Sequence, residues 1–316
     1  MVPDATFTSY YGRPVVKASP WEKDIPAYLF LGGVAAGSSL LAAGADLTER
    51  PSLRRAGRIS ALVGISASMG ALVHDLGRPE RFLNMLRVAK PTSPMSVGTW
   101  ILTAYGPMAG LAGAAELAAV TPLPPGLRWT RGLLELVARP AGVAAALTGP
   151  AVASYTAVLL ADTATPSWHA AFRELPFVFV GSAAAASGGL GMLCAPVDQS
   201  GPARRLAVAG AALELAMEHR MERSMGITAE PLHHGTAGTL MRASKILTAV
   251  GAVGAAALGR NRVGAAISGL ALLAGSACTR FGVFEAGQDS ARAPKYTVVP
   301  QRERLQRRRV QSGAAT

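Results

Sequence analysis

The chain has 316 residues, of which half are hydrophobic and only 16% are charged. Its mean hydropathy of +0.29 is too high for a soluble domain of this length, so the composition indicates a polytopic membrane protein. The net charge of +12 does not indicate a nucleic-acid partner. The arginines occupy short connections between apolar segments and the tail from Arg302 to Arg309, where membrane topology and anionic lipid headgroups explain them.

Residues 1–25 come first and are polar and aromatic, with Tyr10 and Tyr11 typical of an interfacial aromatic belt. They have no cleavable signal sequence, so we expect the first helix to direct insertion. About eight apolar segments that could cross some 30 Å of hydrocarbon follow. The predicted spans are 26–45, 57–76, 97–120, 141–161, 175–195, 203–221, 243–258 and 262–280.

An even number of spans places both ends of the helical region on one side of the membrane. The long connections lie on that side, which we call the long-loop face: 77–96, 162–174 and 222–242. The short connections lie on the opposite, short-loop face: 46–56, 121–140, 196–202 and 259–261. Lys and Arg are denser in the short connections, which predicts an extracytoplasmic long-loop face, although the basic tail favours the reverse.

A weak internal repeat relates the two halves of the chain. Pro26 aligns with Pro176, and the pair Arg54-Arg55 aligns with Arg204-Arg205. Four helices separate the copies, so both halves have the same orientation in the membrane. We therefore predict an all-α fold of two four-helix bundles related by a parallel repeat. The predicted units are an N-terminal polar segment (1–25), the first bundle (26–161), a connecting loop (162–174), the second bundle (175–280) and a basic C-terminal tail (281–316).

Ionisable residues are concentrated where the second predicted span ends. His74 and Asp75 close an apolar segment, and Arg78, Glu80 and Arg81 follow it. Charge at the rim of the hydrocarbon is costly and suggests function by default. We predict that His74 and Asp75 transfer protons and that the three later residues hold the helix end or contact a docked partner. The alternative is a solvated helix end in which Asp75 pairs with Arg78.

Acidic and aromatic side chains gather on the same long-loop face. Glu22, Asp24 and Tyr28 surround the start of the first span, and Tyr155 lies in the fourth. A quinone needs an apolar slot for its ring and tail, a donor for each carbonyl and a route for protons. We therefore predict that Tyr155, Glu22, Asp24 and Tyr28 bind a quinone. Interfacial anchoring is the alternative explanation for the tyrosine at the start of the first span.

The sixth predicted span carries an acidic stripe, with Glu214 and Glu218 one helical turn apart. We predict that both residues transfer protons. All five histidines map to the long-loop face, which argues against two haems spanning the bilayer, while one haem between His74 and His219 stays open. The two cysteines are far apart and form no CxxC pair, so we expect no iron–sulfur cluster in this chain. No residue is assigned to a metal.

Four sequence blocks resemble the NrfD/PsrC family, the membrane subunits of polysulfide-reductase-like molybdopterin complexes. The blocks are WEKDIPAYLFLGG at 21–33, DLGRPERF at 75–82, SPMSVGTW at 93–100 and YTAVLL at 155–160. The segment KYTVVPQRER at 295–304 is similar to the actinobacterial branch of the family.

This resemblance implies a haem-free subunit that binds menaquinone exchangeably in the plasma membrane. It also implies two partners, a four-cluster, ferredoxin-like iron–sulfur subunit and a molybdopterin catalytic subunit. The quinone site would lie near the iron–sulfur partner, where Glu22, Asp24 and Tyr28 begin the first helix and Tyr155 projects from the fourth. The expected function is electron exchange between the iron–sulfur partner and menaquinone, within a complex rather than as a stand-alone enzyme. A haem b membrane anchor and a proton-coupled transporter are the alternatives.

Overall fold

The computed structural model describes residues 14–122 and 128–313, and all regular secondary structure in these two ranges is helical. Tyr10 and Tyr11 lie outside the described residues. The helices are α1 (Asp24–Leu47), α2 (Pro51–Asp75), α3 (Arg81–Met85), α4 (Pro94–Val120), α5 (Arg128–Ala161), α6 (Pro166–Ala170), α7 (Leu175–Cys194), α8 (Gly201–Ser224), α9 (Gly235–Leu258), α10 (Arg262–Arg292) and α11 (Lys295–Gly313). A 3-10 helix, Gly226–Leu232, joins α8 to α9.

Eight of the described helices have 20 or more residues and correspond in order to the eight predicted spans. Six of them, α1, α2, α5, α7, α9 and α10, are long and apolar enough to cross a membrane. The other two are α4 and α8, of which α8 carries the acidic stripe. The prediction of an all-α, polytopic membrane protein is confirmed.

Two helices extend more than ten residues beyond their predicted spans. α5 begins at Arg128, within a predicted loop, and α10 continues to Arg292 instead of ending at residue 280. The added turns of α10 are buried because Phe284 packs on Trp168 with ring centroids 5.5 Å apart. Tertiary packing therefore turns the start of the predicted basic tail into protein core, and only α11 remains as a basic surface helix.

The long helices pair in the same way in each half of the chain. In the first half α1 packs on α2 and α5, and α4 packs on the same two helices. In the second half α7 packs on α8 and α10, and α9 packs on those two. The halves join mainly where α7 contacts α1 and α5. A parallel repeat predicts this recurrence of pairings.

Small residues let the helix backbones approach closely, as packing in lipid requires. Gly37 of α1 lies against Ser187 of α7, and Gly188 lies so close to Ala207 of α8 that a side chain at the glycine would collide with the α8 backbone. Buried, mostly Ala and Leu side chains of the second bundle form a core near the short-loop face, which the ends of α1 and α2 also join. This core is therefore densely packed and apolar.

The short-loop end of the first bundle holds a buried ion-pair network. Glu116 of α4 accepts hydrogen bonds from Arg54 Nε at 2.8 Å and from Arg58 Nη1 at 3.0 Å, and Arg58 Nη2 lies 3.5 Å from Asp46 of α1. Arg58 and Glu116 are 6% and 4% exposed. The network links three helices at the face opposite the predicted site, and its contacts give Glu116 a structural role.

Candidate functional site

The start of α1 and the end of α2 are tied together at the long-loop face. The backbone N–H of Glu22 donates to Asp75 Oδ1 at 3.2 Å, and His74 Nδ1 lies 2.6 Å from Asp24 Oδ2. Asp75 therefore accepts from the start of α1, which differs from the alternative in which it pairs with Arg78. The His74 side chain is 82% exposed, so the His74–Asp24 pair lies at the protein surface.

A small cavity of about 70 Å³ lies directly beneath this tie. Its wall includes Tyr28 of α1, Asp75 of α2, Tyr155 of α5 and Trp21, which precedes α1. The structure thus brings together three of the predicted site residues, the two tyrosines and Asp75. Glu22 and Asp24 are not part of this wall, and Glu22 is linked to it by its backbone N–H bond to Asp75.

The Tyr155 hydroxyl is the orphaned polar group of this cavity. It is buried and has no hydrogen-bond partner among the described residues. A buried hydroxyl without a partner costs about 1–3 kcal/mol, so the position favours a ligand that can accept its hydrogen bond. Gly98 of α4 makes room for the ring, because any side chain at this position would collide with it.

A larger cavity of about 570 Å³ lies on the other side of Tyr155, between α4 and α5. Its wall is mostly apolar and includes Val97 and Ile101 of α4 together with Ser154, Tyr155 and Val158 of α5. A neighbouring cavity of about 410 Å³ shares Val97 and Ile101 with it and extends along the same two helices to Thr148. Together they form an apolar trough that can accept a ring with a long hydrocarbon tail.

Several residues of this region were not predicted as site residues. Asp162 and His169 place polar groups at the rim of the larger cavity. Trp21 stacks on Trp168 with centroids 6.0 Å apart, and the Trp168 indole N–H donates to Val283 O at 2.8 Å. For Asp162, Trp168 and His169 the available signal was their position in the long connection 162–174, but only the fold shows that this connection folds back over α5.

The turn after α2 explains the charged block that the sequence analysis singled out. Gly77 adopts a φ of 65°, the left-handed conformation that commonly ends helices and that glycine adopts without strain. Arg78, Glu80 and Arg81 follow it and are exposed. These three residues thus lie on the surface of the long-loop face, outside both cavities.

The two predicted proton carriers of the second bundle do not belong to this region. Glu214 and Glu218 are completely buried in α8, and no α8 residue lines either cavity that Tyr155 borders. The geometry therefore separates them from the predicted quinone site, to which sequence spacing alone had linked them.

Comparison with known protein families finds a match. The family model described as "Polysulphide reductase, NrfD" matches residues 15–204, which is more than half of the chain. The matched region includes the first bundle, both cavities beside Tyr155 and the whole of α7. A comparison with curated proteins finds no match.

Proposed function

The chain belongs to the polysulphide reductase NrfD family, and from this premise we propose that it exchanges electrons between an iron–sulfur partner subunit and menaquinone bound beside Tyr155. Membership indicates a membrane subunit of polysulphide- or molybdopterin-reductase-type complexes. Such a subunit works with other subunits of an oxidoreductase complex. The proposal adds the quinone, its site and the kind of partner.

The observation that carries the proposal is the buried, unpartnered Tyr155 hydroxyl at the junction of two unlike cavities. On one side the small cavity offers Tyr28 and Asp75, and on the other the trough offers an apolar lining. These residues fit a quinone, because its carbonyls need donors while its ring and isoprenoid tail need an apolar surface. When bound, a quinone takes up or releases electrons and protons in pairs.

The polar residues of the site divide into three roles. Tyr155 donates a hydrogen bond to one carbonyl oxygen, and Tyr28 lines the same pocket. Asp75 is the carboxylate of the cavity wall and exchanges protons with the bound ring. The Asp24–His74 pair, exposed beside it, connects this carboxylate with water. Glu22 acts through its backbone N–H, which holds Asp75 in position.

We assign docking of the iron–sulfur subunit to the long-loop face above this site. Arg78, Glu80 and Arg81 form an exposed charged turn there, next to the helix end that carries Asp75. A partner at this position would bring an iron–sulfur cluster close to the quinone, and a molybdopterin subunit would bind beyond it. In the plasma membrane this face is proposed to be extracytoplasmic, in accordance with the arginine-rich short connections.

Substitution of Tyr155 by Phe tests the proposal. The ring and its packing against Gly98 are retained, so we expect the complex to assemble as before. Loss of the hydroxyl should reduce quinone turnover by about tenfold or more. About tenfold is expected if one hydrogen bond is lost, and a larger decrease if the hydroxyl also donates a proton. The measurement is menaquinol or menaquinone turnover by the purified complex, with subunit content as the assembly readout.

The matched control is Tyr105→Phe in α4. Tyr105 is also buried, but its hydroxyl is bonded to Ser39 at 2.9 Å and neither cavity includes it. We expect turnover close to that of the unmodified chain. Equal turnover in both variants would remove Tyr155 from the quinone site.

The geometry gives less support to the two alternatives. A single haem would need His74 and His219 to face each other, whereas His74 is bonded to Asp24 on the first bundle and His219 is exposed on α8 of the second. A transporter would use acids near the midplane, but three arginines within 4 Å hold Glu116 at the short-loop end. Glu214, the deeper candidate, is completely buried, and the close backbone contact between α7 and α8 closes its short-loop side. An absorption spectrum of the purified chain separates the haem anchor from the proposed function.

A further inference from the structure

The second bundle contains an acidic stripe that the proposed quinone site does not use. Glu214, Glu218 and Glu222 follow one another at one-turn intervals on the same side of α8. The first two are completely buried, while the Glu222 side chain is 15% exposed. The stripe thus leads from the long-loop face into the interior of the bundle.

The ammonium group of Lys245 lies near the two outer carboxylates, Glu218 and Glu222. Lys245 of α9 places Nζ 2.6 Å from Glu222 Oε1 but 3.7 Å from Glu218 Oε1. Neither oxygen of Glu218 has a hydrogen-bond partner among the described residues. On the outside, His233 Nε2 lies 4.0 Å from Glu222 Oε2, and the His233 side chain is 49% exposed. The stripe therefore reaches water through His233.

Glu214, at the inner end of the stripe, has polar neighbours of its own. Thr279 Oγ1 donates to Glu214 Oε1 at 2.6 Å. Arg280, the cation at this depth, donates to the Phe179 carbonyl at 2.7 Å and lies over the Phe179 ring at 3.6 Å. Beyond Glu214, α7 and α8 touch through backbone at Gly181 and Gly210. This packing closes the stripe on the short-loop side.

The charges of this cluster do not balance if every carboxyl is ionised. Three carboxyls on α8 face two cations, the partly exposed Lys245 on α9 and the buried Arg280 on α10, while among the described residues of α7 the polar group here is Ser182. An ionised carboxylate without a partner is very unfavourable in a dry interior, so one group takes up a proton. Glu222 holds the ammonium, and Glu214 accepts from Thr279 at Oε1 and lacks a partner at Oε2 alone, whereas both oxygens of Glu218 lack one. Glu218 is therefore the carboxyl that carries the proton.

We propose that Glu218 is a reversible proton-binding site of the second bundle, loaded from the long-loop face through His233, Glu222 and Lys245. The proton comes from water at His233 and binds to a carboxylate oxygen of Glu218, so the charge of the cluster rises by one and no electron is involved. Glu218 is six residues from the end of α8, about 9 Å along the helix.

This site is separate from the quinone site and does not require it. Its inner end nevertheless touches the first bundle, because Arg280 packs against Gly33 of α1, the helix that carries Tyr28. Binding and release of the proton at Glu218 therefore change the charge close to the interface between the bundles. This gives the complex a way to exchange protons that do not come from the quinone itself.

Infrared titration of the full-length protein in lipid nanodiscs tests the proposal. We expect a carbonyl band of a protonated carboxylic acid that appears and disappears reversibly with pH. Glu218→Gln should abolish this band, and the exposed control Glu135→Gln should retain it. Lys245→Met removes the competing cation, so the band should persist to a more alkaline pH. Absence of the band in the unmodified protein, or its persistence in Glu218→Gln, would overturn the proposal.

The loading route is tested by the rate at which this band shifts after transfer to D₂O. Glu222→Leu interrupts the route but leaves Glu218 in place, so the shift should slow by about 10²-fold, the lower end of what a positioned proton donor contributes. An unchanged rate would refute the route. Circular dichroism of each variant confirms that it is folded, and none of these readouts depends on quinone turnover.

Discussion

At the scale of single residues, one aromatic ring and one glycine define the proposed quinone site. Tyr155 of α5 is buried against α4 and lines the small cavity that Tyr28 and Asp75 also line. The ring occupies this place only because Gly98 has no side chain. The position of the hydroxyl therefore depends on a residue with no chemistry of its own.

Substitution of Gly98 by Ala tests this dependence. The added methyl group must displace the Tyr155 ring, and such overpacking typically costs about 1–3 kcal/mol. We expect quinone turnover to fall by about tenfold or more, with a lower thermal midpoint. Gly106→Ala in the same helix is the matched control, because nothing lies within 4 Å of the new Cβ there. Equal activity of the two variants would show that Tyr155 tolerates displacement.

At the scale of elements, charged groups join helices at both ends of the first bundle, but they contribute differently to its stability. The tie between α1 and α2 at the long-loop face is exposed and close to the proposed site. The network of Arg58, Glu116 and Asp46 at the short-loop face is buried and joins α1, α2 and α4. Buried pairs are strongly destabilising when one partner is removed, whereas exposed pairs contribute little.

Arg58→Met tests the buried network. Methionine retains much of the side-chain bulk but leaves Glu116 and Asp46 with one cation fewer, so the free energy of unfolding should fall by about 3–5 kcal/mol. Arg139→Met is the control, since this side chain is 70% exposed beside the same Asp46 and should change stability by less than about 1 kcal/mol. Reversible unfolding in mixed micelles measures both. A small effect at Arg58 would mean that the remaining arginines compensate.

The attachment of α11 should depend on pH. Lys295 Nζ lies 2.8 Å from both carboxylate oxygens of Glu230. This hydrogen bond lowers the pKa of Glu230 and raises the pKa of Lys295 from their ordinary values of 4.5 and 10.5. The contribution of the pair is therefore complete between these two values. It is lost as pH falls through the lowered pKa of Glu230 or rises through the raised pKa of Lys295.

A spin label at Gln301→Cys, in a chain without native cysteines, reports this attachment. We expect its mobility to be constant around neutral pH and to increase in acid. Glu230→Gln should increase the mobility already at neutral pH. Glu303→Gln, which removes an exposed pair within α11, should not. An acid response that survives in Glu230→Gln would assign the attachment to other contacts.

At the scale of the whole molecule, the two faces of the membrane domain carry different structural features. The long-loop face carries the cavities beside Tyr155, the charged turn and the outer end of the Glu218 stripe. The short-loop face carries the arginine network and the densely packed helix ends. Under the proposed function, the orientation of the chain therefore decides on which side of the membrane the partner would dock and protons would be exchanged.

The proposed orientation is tested with a membrane-impermeant maleimide on intact cells. Cysteine introduced at exposed Glu80 marks the long-loop face, and native Cys194, exposed at the end of α7, marks the opposite face. In a chain with Cys278→Ala, we expect Glu80→Cys to react in intact cells and Cys194 to react only after lysis. The reverse pattern would place the iron–sulfur partner in the cytoplasm.

The sequence by itself determined the fold class, the order of the eight long helices and the face on which the polar residues gather. Long apolar segments have few stable solutions in a bilayer other than helices, and their even number assigns each connection to a face. The tyrosine of the fourth span and the aspartate at the end of the second were therefore predictable as neighbours at one rim.

Only the tertiary structure decided which residues share a cavity. It placed Tyr28, Asp75 and Tyr155 around one space, left His74 and Asp24 at the surface, and moved Glu214 and Glu218 into a separate cluster with Lys245 and Arg280. The physical reason is that spacing along a helix determines depth and side but not which neighbouring helix packs there. That choice depends on close contacts at small residues such as Gly98 and Gly188, which hydropathy alone does not reveal.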